Sequence, residues 1–134
     1  MQAIEDLGAE LRNAAKEGNV ETVSEILAQS EVNAKVLNAK DDEGHTALIW
    51  AVERCNLGVV KALLAHRDSN GKPLIDANEK DDEGHTALMY AAYKGMIEVV
   101  KAILNHETCK STILNAKDNK GRTALMLAIY QGCI

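Results

Sequence analysis

The stretch Lys40-Asp-Asp-Glu-Gly-His-Thr-Ala-Leu48 returns unchanged as Lys80-Asp-Asp-Glu-Gly-His-Thr-Ala-Leu88. It returns once more, in looser form, as Lys117-Asp-Asn-Lys-Gly-Arg-Thr-Ala-Leu125. A single packed core has no use for a repeated phrase. A row of like supersecondary units does, because each unit must offer the same faces to its neighbours. The nonapeptide therefore predicts a stack of copied units.

Working outward from the phrase, each copy reads the same way. Residues 41–45 are polar, and Gly44 supplies the permissive backbone of a tight turn. Thr46 is placed as the N-cap of a first helix over 47–54, lined by the small and apolar Ala47, Leu48, Ala51 and Val52. A second helix over 57–65 carries Val59, Val60, Leu63 and Leu64 at helical spacing. In the next copy Thr86 caps 87–92 and Gly95 breaks the chain. The second helix there, 96–104, turns Ile97, Val99, Val100, Ile103 and Leu104 inward. The opening stretch lacks the polar turn but keeps both helices. Leu11, Ala14 and Ala15 line the first, Gly18 turns, and Val20, Val23, Ile26 and Leu27 line the second. With Glu5, Asp6, Glu10, Arg12, Lys16 and Glu17 beside them, it reads as a terminal capping unit, packed on one face and wet on the other.

The totals agree with slim layers. The chain has 134 residues, no Phe and only 3% aromatic residues, so Ala, Leu, Val and Ile must fill the interior. A formal charge of −5 argues against a phosphate-binding face and hence against nucleic acid. The apolar runs, such as 47–52, are far shorter than a bilayer span, so no membrane partner is expected. Acidic residues follow Met1 where a secretory signal carries basic ones. There is no Asn-X-Ser/Thr sequon. Cys55, Cys109 and Cys133 are odd in number and form no CxxC pair. These features together predict an intracellular, cytoplasmic protein.

Gly-His-Thr-Ala-Leu, an Ala-rich helix, a Gly and then Glu98-Val-Val-Lys-Ala-Ile-Leu104 resemble the ankyrin repeat. The resemblance runs from about residue 7 to the end. It implies an all-α solenoid of helix-turn-helix units with short β-turn fingers, about three and a half units long. The units divide as an N-terminal capping repeat 1–39, a repeat 40–79, a repeat 80–116 and a partial repeat 117–134. The family's core pattern is Asp-x-x-Gly-x-Thr-Pro-Leu-His. Here Ala47, Ala87 and Ala124 hold the Pro position, and Ile49, Met89 and Met126 hold the His position. The polar network that this His builds is therefore expected to be absent and replaced by apolar packing. Cys55 stands where the family has the Gly that ends the first helix, which predicts a turn either strained or rebuilt. The period here is 37, 40 and 37, against about 33 in the family. The surplus falls in His66-Arg-Asp-Ser-Asn-Gly-Lys-Pro73 and its counterparts, and predicts either a longer second helix or a larger outer loop. Val36-Leu37, Leu74-Ile75 and Ile113-Leu114 are placed to tuck this segment back onto the stack. Gly132-Cys-Ile134 stands where another second helix begins, which leaves an apolar face for a longer array or for a second copy.

No catalytic, cofactor or metal pattern emerges. GxSxG, Walker and dinucleotide glycine motifs are all missing. His45 and His85 are forty residues apart, as are His66 and His106. Units packed side by side hold equivalent residues about 10 Å apart, whereas a shared zinc needs each nitrogen at about 2.0–2.1 Å. The histidines are therefore expected on the surface. Asp41-Asp-Glu43 and Asp81-Asp-Glu83 lack calcium-loop spacing, and Asp41, Asp81 and Asp118 are expected to brace their own turns.

The aromatic residues carry the functional expectation. Trp50 and Tyr90 occupy equivalent positions, Leu127 continues that row, and Tyr93 and Tyr130 form a second one. By resemblance these positions line the concave face, so Trp50, Tyr90, Tyr93, Leu127 and Tyr130 are the expected apolar anchors for a partner protein. Asp42, Glu43, His45, Asp82, Glu83, His85, Lys120 and Arg122 are the expected polar rim. The groove runs from acidic to mildly basic along its length, which suits a partner with a basic segment. Two other functions are consistent with the sequence: an N-terminal regulatory or targeting array of a larger enzyme, and a self-associating structural module.

Overall fold

The computed structural model describes residues 4–29, 32–106 and 111–130. Three antiparallel helix pairs and a final helix follow one another: α1 (Ile4–Glu17) with α2 (Val20–Leu27), α4 (Ala47–Glu53) with α5 (Leu57–Ala65), α6 (Ala87–Lys94) with α7 (Ile97–Leu104), and α8 (Ala124–Tyr130). A short helix, α3 (Ala34–Leu37), lies between the first two pairs. A 3-10 helix, Ser111–Asn115, precedes the last finger. The first helices pack in a row, α1 on α4 on α6 on α8. The second helices form a parallel row, α2 on α5 on α7. This is a two-layered, all-helical stack, and no strand runs through the described residues.

The first helices start where the threonines predict. Thr46, Thr86 and Thr123 Oγ1 accept from the backbone N–H of Ile49, Met89 and Met126 at 3.2, 3.2 and 3.3 Å. Each such cap stabilises its helix by about 1 kcal/mol. Small side chains then allow close approach: Ala47, Ala51, Ala87 and Ala91 are sealed between neighbours. One continuous apolar seam runs from Leu7 and Leu11 through Leu48, Val52, Leu63, Leu88 and Val99 to Leu127. Each of its large aliphatic side chains contributes about 1.5–3 kcal/mol on full burial.

Between helix pairs the chain folds into polar fingers. Asp41 N donates to His45 O at 3.0 Å and Gly44 N to Asp41 O at 3.0 Å. Neighbouring fingers are joined by Asp82 N to Glu43 O and Asn119 N to Glu83 O, at 3.0 and 2.9 Å. Gly44 is at φ +80°, and a Cβ there would lie 2.6 Å from Asp82 Oδ1. The next finger therefore excludes a side chain as firmly as the turn does.

The surplus residues form a larger outer loop. α5 stops at Ala65, and 66–79 crosses the outside of the stack. Within it Asp68-Ser-Asn-Gly-Lys72 repeats the finger's own turn. Asp68 N donates to Lys72 O, Gly71 N donates to Asp68 O, and Asp68 Oδ1 accepts from Asn70 and Lys72 N–H. Unlike Gly44, Gly71 has open space around it among the described residues. Val36, Leu37, Ile75 and Ile113 are buried, so the tucking holds for them, while Leu114 points outward at 54% exposure.

Three expectations on the helices have distinct outcomes. Ile97 and Leu104 do not face inward: they are 64% and 40% exposed. Leu64, the counterpart of Leu104, is buried on α5, which packs on α7, whereas no further second-row helix beyond α7 lies among the described residues. Of its two expected outcomes Cys55 adopts the strained backbone, at φ +61°, and is the one non-glycine residue with positive φ among those described. Cys109 and 132–134 lie outside the described residues. No helix of the described residues is long and apolar enough to cross a membrane.

The left-handed backbone costs a Cβ-bearing residue about 1–2 kcal/mol. Cys55→Gly is therefore expected to raise stability by about 1 kcal/mol, read as a higher urea midpoint at unchanged slope. An unchanged or lower midpoint contradicts the strain.

Candidate functional site

Each finger is organised by one carboxylate. Asp41 Oδ1 accepts from the N–H groups of Glu43 and His45 at 2.9 and 3.0 Å. Asp81 does the same with Glu83 and His85 at 3.0 and 2.9 Å. Asp118 does so with Lys120 and Arg122, both at 2.9 Å. This is the bracing that the sequence predicts. The second oxygen faces sideways. Asp41 Oδ2 accepts from Trp50 Nε1 at 2.7 Å. Asp81 Oδ2 accepts from Tyr90 Oη at 2.5 Å and lies 3.6 Å from His45 Nε2. Asp118 Oδ2 meets Arg122 Nε at 2.9 Å and His85 Nε2 at 3.1 Å.

The histidine of one finger thus meets the aspartate of the next. An ionised carboxylate only accepts, so His85 carries its hydrogen on Nε2. The expectation of purely apolar packing is corrected here. Ile49 and Met89 are buried as expected, but the polar junction is rebuilt from four residues upstream by His45 and His85. The expectation of surface histidines is corrected with it. His45 and His106 are almost fully buried, and His106 Nε2 lies 2.9 Å from Leu64 O.

These bonds set the ionisation of the fingers. Burial pushes Asp118 upward, but the backbone N–H and guanidinium of Arg122 and the backbone N–H of Lys120 outweigh it, holding the carboxyl at about 2. At Asp41 burial likewise opposes, and the Trp50 indole with the N–H groups of His45 and Glu43 prevails, so its pKa is lowered. Burial, and then the Asp81 carboxylate, push the Tyr90 phenol far above its ordinary range, so it stays a donor.

The first helices carry a column of rings against these fingers. His45 stacks on Trp50 with centroids 4.5 Å apart. Tyr90 follows at 6.2 Å from His45, and His85 meets the Tyr90 ring edge-on at 5.3 Å. Lys16 Nζ caps the far face of Trp50 at 4.2 Å from the ring centre, with Arg54 beside it at 5.4 Å. Trp50 is only 9% exposed and Leu127 3%, so neither presents open area as expected. Trp50 is covered because its indole N–H turns inward to Asp41 and cations lie over its face. Leu127 is covered because it is short enough to sink between α6 and α8.

Five of the expected site residues do come together. His85, Tyr90, Tyr93, Leu127 and Arg122, with Met89, line a cleft of about 190 Å³ between α6 and α8. Tyr93 is its most open wall, at 41% exposure. Met89 was not singled out as a site residue. Its place one residue before Tyr90 in the aromatic row is the feature that could have marked it. Trp50 and His45 belong to the sealed junction one unit earlier. Asp42 and Glu43 lie exposed on their finger, bordering a shallow polar hollow with Arg12, Lys16 and Lys40. Asp82, Glu83 and Lys120 are exposed on the following fingers. The Tyr130 side chain lies outside the described residues.

A family model described as ankyrin repeats in three copies matches residues 11–73 and 70–134. No curated protein matches the chain.

The depressed Asp118 pKa makes an acid-stability prediction. The ordinary value is 3.8 and the folded value about 2. The stabilisation is therefore complete above about pH 4 and disappears as pH falls toward 2. Urea midpoints followed from neutral pH downward are expected to fall more steeply across that window for the parent than for Asp118→Asn. Parallel curves contradict the assignment.

Proposed function

The chain belongs to the ankyrin-repeat family, whose arrays are in general protein–protein interaction modules, and from this we propose that it recognises a partner protein on its fingers and first helices. The units are taken as 1–39, 40–79, 80–116 and 117–134. The role is non-catalytic, the setting intracellular, and the partner carries a basic segment. The observation that supports this reading most is the cleft between α6 and α8. There Tyr90, Tyr93 and Met89 gather beside Arg122, below fingers tipped by Asp82 and Glu83. Aromatic and arginine side chains at the edge of a small concavity are the composition of binding hot spots. The acidic tips of the first two fingers, Asp42, Glu43, Asp82 and Glu83, steer basic segments toward it.

Trp50 and Tyr90 hold finger carboxylates, so truncating them tests folding as much as binding. Tyr93→Ala and Glu83→Lys are cleaner. A partner recovered by affinity purification from the native cell is expected to lose about 2 kcal/mol of binding on Tyr93→Ala. Glu83→Lys slows its association, and helicity is unchanged in both. Full retention of the partner by both variants contradicts the reading.

A second reading, self-association, is favoured by one observation. Ile97, Leu104, Leu114, Leu125, Met126 and Ile129 are all 40–64% exposed at the α7–α8 end. Several of them border an apolar trough of about 410 Å³. Contiguous apolar area of this kind marks interaction surfaces. Sedimentation at several concentrations is expected to show dimers that Leu125→Glu abolishes; a concentration-independent monomer removes this reading.

A further inference from the structure

The cleft between α6 and α8 exists because one ring is missing from an otherwise regular column. At the preceding junction the equivalent position is Tyr90. Its ring lies over the gap between α4 and α6, touches both His45 and His85, and donates to Asp81. One unit later the position is Leu127, which is buried and carries neither ring nor hydroxyl. Asp118 has instead recruited Arg122 Nε. The guanidinium's two terminal amino groups have no partner among the described residues. The space left over, about 190 Å³, has Met89 and Leu127 as apolar lining, with His85 and Tyr90 presenting rings and Arg122 a planar cation.

We infer that this cleft receives an aromatic side chain of the partner protein, which takes the place Tyr90 occupies one unit earlier and completes the column Trp50, His45, Tyr90, His85. The inference rests on the partner-binding reading above and deepens it. An aliphatic anchor would fill the volume but leave the ring edges and the guanidinium without a π-face. A planar ring meets both, edge-on to the histidine and face-on to Arg122. Charge selects the neighbour of that ring. The finger tips nearest the cleft on its N-terminal side are Asp82 and Glu83, both exposed. They belong to the same finger as His85, which walls the cleft. A Lys or Arg within a few residues of the aromatic side chain therefore reaches those carboxylates. The docking segment carries one aromatic and one basic residue close together.

A phage-displayed library of random dodecapeptides, selected on the purified chain, tests this. Enriched sequences are expected to share an aromatic residue with Lys or Arg within a few positions of it. The corresponding synthetic peptides are expected to bind roughly tenfold or more weakly when the aromatic residue is replaced by alanine. They are expected to lose the same amount on Leu127→Tyr, which supplies the missing ring from within and reproduces a residue that the preceding unit already tolerates. Should that variant fail to fold, methyl NMR on the parent decides. A bound ring moves the Met89 and Leu127 methyl resonances by its ring current, and the alanine peptide does not. No enrichment, enriched peptides without an aromatic residue, or methyl resonances that stay in place overturn the inference. Peptides weakened by Glu83→Lys but indifferent to Leu127→Tyr overturn the inference and leave the broader reading standing. Peptides indifferent to Glu83→Lys, Tyr93→Ala and Leu127→Tyr alike overturn both.

Discussion

Each finger aspartate has two oxygens with different duties, and the arrangement of the stack follows from that division. One oxygen accepts two backbone N–H groups of its own turn, which fixes the finger's shape. The other faces sideways and, at Asp81 and Asp118, is buried and must be satisfied. At Asp118 the satisfying groups include the histidine of the preceding finger, and at Asp81 that histidine stands 3.6 Å away beside the bond from Tyr90. A buried carboxylate left without partners costs several kcal/mol. Neighbouring units therefore cannot slide or rotate past each other without exposing that cost. The apolar seam supplies most of the cohesion, but leucines and alanines tolerate small shifts. Directional bonds to a charged acceptor do not, and they set the register.

The same constraint explains where a site can form. The group that donates to the sideways oxygen differs from unit to unit: Trp50 for Asp41, Tyr90 for Asp81 and Arg122 for Asp118. Trp50 and Tyr90 bring large rings that close the gap between first helices while they donate. Arg122 reaches the carboxylate from the finger itself and leaves the position on the helix to Leu127. The junction then stays open. A single exchange of ring for aliphatic chain, on a backbone otherwise copied, turns a sealed contact into a cleft.

Much of the architecture was legible because it is local. Threonine caps, helix lengths and the bracing of Asp41, Asp81 and Asp118 involve residues within five of one another, and the repeated phrase displays them three times. The strain at Cys55 was one of the two outcomes implied by the ankyrin resemblance, which has a Gly there. What was not legible depends on neighbours forty residues away. Trp50 reads as an exposed ring until Lys16, Arg54 and Asp41 are seen to enclose it. His45 reads as a copied surface residue until the next finger's carboxylate meets it. Leu104 reads as core because its periodicity is that of core, and periodicity does not report whether a covering helix is present; Ile97 is exposed like Val20 and Leu57, which also open their helices. The Asp68 turn was legible in principle, since it carries the finger's own Asp-x-x-Gly spacing.

The claim that inter-finger carboxylates lock the register is tested most directly at His85 and Asp118. A double-mutant cycle with His85→Ala, Asp118→Asn and the double variant, read from urea unfolding, isolates their interaction from the turn bonds that Asp118 also makes. A hydrogen bond to a charged group contributes about 1.5–3 kcal/mol, and the account predicts a coupling energy of that size. Additive losses, with a coupling near zero, would contradict it and leave the apolar seam alone responsible for aligning the units.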